Sequence, residues 1–141
     1  MFLTSCAPVI TSINPETLFI GFDFRKYTEK GFLFTPEKYS GVYESIGTVR
    51  YVHVPGAKLT EYLKRSNYDG TNTMQKKWVI DSASVSHGID SLFSLASSMG
   101  ANAIMNFVVI PATRTHSVDT MGIVTIEGYD ISGFAIRRKE N

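Results

Sequence analysis

Residues 81–110, DSASVSHGIDSLFSLASSMGANAIMNFVVI, constrain the fold more than any other stretch: an amphipathic helix, a glycine stop and a strand with almost no polar interruption. Val85, Ile89, Leu92, Phe93, Ala96 and Met99 recur at spacings of three and four, which lines one side of a helix with apolar groups. Ser86, Asp90, Ser94 and Ser97 take much of the other side. Ser82 and Ser84 are each placed to cap the first turn, Asp81 suits the helix dipole, and Gly100 supplies the left-handed residue that closes a helix. Residues 101–110 are apolar on both alternating sets apart from Asn102 and Asn106, as a strand covered on both faces requires. Pro111 is expected to end that strand, because it lacks a ladder donor. A helix running directly into an inner strand predicts an α+β fold, an antiparallel sheet with one main helix packed on it in two layers.

The 141 residues suit one domain, with residues 1–16 expected as a signal remnant and linker and residues 17–141 as a single α+β domain. A net charge of +1 supplies no field that would recruit nucleic acid. The single cysteine, Cys6, excludes an intramolecular disulfide, so packing must hold the fold. Leu3-Thr4-Ser5-Cys6 resembles a bacterial lipobox, which would make Cys6 a lipidation site and place the domain at the cell envelope. With Cys6 incidental, the location would be cytoplasmic. Membrane association is expected only through that lipid anchor, since no stretch approaches the ~20 apolar residues of a spanning helix.

Residues 17–24, TLFIGFDF, read as a short strand, and residues 45–54, bounded by Pro55-Gly56, as a stronger one. Between them, residues 27–43 cluster Tyr27, Phe32, Phe34, Tyr39 and Tyr43 around glycine and proline. Such rings either pack against the domain or offer rigid anchors to a partner. Residues 58–64 suggest one or two helical turns, 66–73 a polar loop, and 78–80 a short strand or an extended packing segment, with Trp78 stoppering the core. Residues 112–121, ATRTHSVDTM, read as a polar connection, and 123–138 as a long strand bent at Gly128 and Gly133, or a pair of strands, returning antiparallel beside 101–110.

Chemistry is sparse. Ser84 to His87 has no accompanying oxyanion turn, and Glu127 with Asp130 is the one close carboxylate pair on the last strand. Arg114, His116 and Asp119 form the polar group most suited to a site, and His53, His87 and His116 are dispersed over three elements. No catalytic residue, cofactor or metal is assigned from these patterns. The alternative is a small metal-dependent or hydrolytic enzyme using His116 and Asp119, with His53 or His87 brought near by folding.

Ser97-Ser98-Met99-Gly100, the following Ala101-Asn102-Ala103-Ile104, and Tyr129 with Ser132-Gly133-Phe134-Ala135-Ile136 resemble the C-terminal half of the YbjQ-like family, to which heavy-metal binding is ascribed. The resemblance implies a helix packed on an antiparallel sheet and a ring-like homo-oligomer, commonly a pentamer. A similar helix and strand occur in small envelope lipoproteins of Gram-negative bacteria. The expected function is therefore a non-enzymatic binding or self-assembly domain at the bacterial envelope. Its partners would be further copies of itself or another envelope protein, with no nucleic acid. Tyr27, Phe32, Phe34, Tyr39, Tyr43, Arg114, His116 and Asp119 are the candidate ligand or partner surface.

Overall fold

The computed structural model describes residues 15, 17, 20–65, 69–118 and 122–139; Cys6 and Asp119 lie outside them. The elements run α1 (Arg25–Thr28), β1 (Leu33–Phe34), β2 (Tyr43–His53), β3 (Ala57–Arg65), β4 (Asn72–Ile80), α2 (Val85–Ser98), β5 (Ala103–Val118) and β6 (Gly122–Arg138). A four-stranded sheet has the order β1-β5-β6-β2, and β3 with β4 forms a separate two-stranded ribbon. The fold is mixed, mostly strand, with one main helix on the sheet.

α2 forms where the spacing places it. Ser84 caps it by accepting from the His87 amide at 3.3 Å, and Ile89, Leu92 and Ala96 are buried. Gly100, at φ +85°, closes it: the Ala101 and Gly100 amides reach back to the Ala96 and Ser97 carbonyls at 3.0 Å each. The chain turns straight into β5, which pairs antiparallel with β6 from Ala103↔Ile136 onward. A bulge interrupts that register between Met105 and Val108, with Asn106 at φ +52°. The freed Asn106 and Phe107 amides donate to the Glu37 and Thr35 carbonyls, which pins the segment after β1 to the sheet.

Several sequence expectations fail for identifiable reasons. β1 is parallel to β5, so the sheet is not wholly antiparallel. Ile20 to Phe24 form no strand; Phe22 and Phe24 instead pack against the core beside α1. Pro111 does not end β5: it stays in register with Tyr129, and among the described residues no strand pairs with the other edge of β5 beyond Ile104, so its missing N–H breaks no ladder there. Residues 112–118 continue β5 as half of a long ribbon with β6, and β6 runs unbroken through Gly128 and Gly133. Residues 58–64 are strand rather than helix, since pairing of Leu59↔Trp78 and Leu63↔Met74 with β4 overrides their helical spacing.

The core lies between α2 and the sheet. Tyr27, Phe32 and Phe34 are 2%, 4% and 7% exposed and join Val49, Ile89, Leu92, Ile104 and Ile131 there. Their use as a partner surface is thereby corrected: the rings fill the interior of a sheet that one helix alone cannot cover.

Tyr27 also ties α1 to α2, donating to Asp90 Oδ1 at 2.6 Å beside the Lys26 ammonium at 2.7 Å. Burial, then the hydrogen bond to Asp90, pushes the phenol up to about 12. Because its folded pKa exceeds the unfolded value of about 10, its contribution is complete below pH ~10 and is lost as pH rises to about 12. Unfolding followed across that window should show an alkaline fall that Tyr27→Phe makes shallower, the rest coming from Lys26, whose pKa the hydrogen bond to Asp90 also raises; an identical slope in the variant would refute the assignment.

Candidate functional site

The sheet face opposite α2 is covered at one end and open at the other. At the covered end, Ala103, Met105 and Ile136 pack with Leu33, Phe134, Tyr39 and Tyr43. Tyr39 and Tyr43 are half-buried, with ring centroids 6.3 Å apart, so they belong to the seal over this second cluster. Further along, registry aligns Ile110, Asp130 and Val52 in one cross-strand row and Val108, Ser132 and Arg50 in the next. Directly paired residues in adjacent strands share a face, so these six side chains form one surface. Val52, Val108 and Ile110 remain 48%, 45% and 48% exposed.

Asp130 sits in the middle of that apolar surface, buried while its partner Arg50 reaches solvent. Arg50 Nε donates to Asp130 Oδ1 at 3.0 Å, and a second guanidinium nitrogen donates to Oδ2. These hydrogen bonds hold the Asp130 carboxyl below the ordinary carboxylate range. A carboxylate so held is ionised at neutral pH and occupied by its own partner, which suits a fixed polar landmark within an apolar face better than an acid or base.

The open face ends where the chain leaves β2. A Cβ at Gly128 would overlap the His53 carbonyl oxygen, so the chain crosses β6 there at backbone contact distance. Beyond the crossing, the β3–β4 ribbon and the outer β5–β6 ribbon enclose a cleft of about 410 Å³ lined by Pro55, Trp78, His116, Ser117, Val124 and Ile126. Trp78 is half-buried and forms a wall of this cleft, and its indole N–H has no acceptor among the described residues. The expectation that it stoppers the core is therefore replaced.

Of the residues singled out from sequence, Arg114 and His116 stand on one face of the outer ribbon, opposite Ile126 and Val124, and both are exposed. His53 pairs with Tyr129, five residues along β6 from the partner of His116, or roughly 17 Å on the opposite face. His53 and His87 instead flank the Tyr51 ring, at centroid distances of 6.2 and 6.4 Å. The fold thus does not bring His53 or His87 to His116. Glu127 and Asp130, an odd number of residues apart on a strand, point to opposite faces and cannot act as a pair. Among the described residues, no three His, Cys, Asp or Glu side chains gather as metal ligands, and no helix is long and apolar enough to cross a membrane. The Arg50–Asp130 pair escaped sequence reasoning because its partners lie 80 residues apart; only their places on strands 45–54 and 123–138 hinted at it.

No family model matches the chain, and no curated protein does. Among solved structures it is similar to a protein of unknown function assigned to the DUF74 family, from Pediococcus pentosaceus. That structure is 11% identical, with a TM-score of 0.41, over 77% of this chain and 99% of the other.

Proposed function

We propose that this chain is a non-enzymatic self-assembly domain, YbjQ-like in plan, whose copies meet through the open sheet face. The observation that carries the reading is the row Ile110, Asp130 and Val52 with Val108 beside it: large aliphatic groups left in water around a neutralised carboxylate. Water contact at such groups is unfavourable by an amount that scales with their apolar area, and a second copy would remove it. The ion pair stays satisfied on either side of that event, so closing the face strands no charge. An envelope location is supported by Leu3-Thr4-Ser5-Cys6, and a ring of copies by the family resemblance.

Light scattering of the purified chain tests this reading. The expected mass is a fixed multiple of 15.7 kDa over a range of concentrations. Val52→Lys with Ile110→Lys should return 15.7 kDa, because two ammonium groups would have to be desolvated at the contact. A monomer before substitution, or a multimer indifferent to it, rejects the open face as the contact.

A further inference from the structure

We infer that the β3–β4 ribbon is a docking arm for an acidic phospholipid surface. Its tip residues, Leu63 and Met74, are distinct from Val52, Val108 and Ile110 of the open face, so each reading is tested by its own substitutions. Register assigns its side chains to two faces: Leu59, Glu61, Leu63 and Arg65 share one with Met74, Lys76 and Trp78, while Lys58, Thr60, Tyr62 and Lys64 share the other with Thr73, Gln75, Lys77 and Val79. Toward the tip, Leu63 and Met74 sit directly opposite each other and are 65% and 61% exposed. They form an apolar pair two register positions from the last rung, Arg65↔Asn72, and nothing described covers them.

Charge tells what would cover them. The two strands carry five cations, Lys58, Lys64, Arg65, Lys76 and Lys77, against the single carboxylate of Glu61. Their formal charge is therefore +4, and Asp69 in the connecting turn brings the hairpin to +3. The whole chain is only +1, so the remainder is −2 and the cationic charge is gathered on this arm. Glu61 is already engaged by Lys76 at 3.4 Å, and Lys77 lies over the Tyr62 ring, whose hydroxyl donates to Gln75. At the tip, Arg65 follows Leu63 on the same face and Lys64 stands between them on the other, so cations on long aliphatic stems flank the apolar pair from both sides of the ribbon. At a bilayer, the Leu63 and Met74 side chains would enter the boundary between headgroups and acyl chains while the basic groups extend back to phosphates. Duplex DNA would reward the cations but has no counterpart for an exposed leucine–methionine pair, which is why the lipid surface is favoured.

The test uses the full chain with Cys6→Ser, so that no acyl group can attach, in co-sedimentation with two vesicle types. One is pure phosphatidylcholine; the other is equal parts phosphatidylcholine and phosphatidylglycerol. Binding is expected to the acidic vesicles only, and to weaken with added salt. Lys64→Gln with Arg65→Gln should lower the partition coefficient roughly 25-fold, about fivefold for each basic group lost. Leu63→Ser with Met74→Ser keeps the charge and should also weaken binding. Equal binding to both vesicle types, no binding to either, or indifference to both double variants overturns the inference. So does displacement from the vesicles by duplex DNA that the Leu63→Ser, Met74→Ser chain binds as well as the parent, which would make the arm a nucleic-acid contact.

Discussion

Gly128→Ala should lower the unfolding midpoint by roughly 10 °C or more, equivalent to about 3 kcal/mol for a domain of this size. The added methyl would overlap the His53 carbonyl oxygen and come within 2.7 Å of Val54 Cα and 2.8 Å of the His53 carbonyl carbon. All three are backbone atoms, so no rotamer change can make room, and the chain leaving β2 must lift off β6. The last β2–β6 partners, Val52↔Asp130 and His53↔Tyr129, would separate first, followed by the buried Pro55 and the base of the β3–β4 ribbon. Loss of the Val52 position also breaks the open face, so the same variant should dissociate assembled copies. Thermal unfolding by circular dichroism reads the first effect; an unchanged midpoint would show that the crossing does not have this geometry. The left-handed backbone region is irrelevant here, because Gly128 is required by proximity alone.

What the sequence disclosed and what it hid follow one physical division. α2, its Ser84 cap and Gly100 stop were legible because helical periodicity and capping act within a few residues. The antiparallel return of β6 beside β5 was legible because both carry β-forming runs and no helix is read between them to carry a parallel crossover. Residues 112–118 and 58–64 were misread because ribbon strands exposed on their surfaces lack the apolar runs by which strands are recognised, and cross-strand pairing decides their state. Pairing at a distance also hid the site. Arg50 meets Asp130 across 80 residues, and Val52 and Ile110 become neighbours only through β6, which lies between their strands. The concentrated charge of the β3–β4 hairpin was masked by averaging over a nearly neutral chain.

Phe34→Ala should be the costliest truncation in the aromatic core, at about 3–5 kcal/mol, with the upper part of that range expected. Phe34 is 7% exposed, and its ring centroid lies 4.9 Å from Tyr27, 5.1 Å from Phe24, 5.2 Å from Phe32 and 5.2 Å from Phe107. Its removal therefore costs transfer energy, leaves a cavity among rings that cannot all collapse into it, and deletes several edge-to-face or tilted pairings at once. Phe34 also pairs with Ile104 in the short parallel ladder, so the cavity opens where β1 is held by only two register positions. Tyr39→Ala provides the comparison: that ring is half-buried, meets Tyr43 at 6.3 Å and seals only the smaller cluster, so its loss should cost about 1 kcal/mol. Denaturant unfolding of both variants separates the two roles that residues 27–43 could have had. Equal small losses would mean that the rings cover surface and are available to a partner. A Phe34→Ala loss several times larger, with the near-ultraviolet aromatic signal collapsing alongside it, would mean that they cover the part of the sheet that α2 leaves open, and that any partner must be met elsewhere on the molecule.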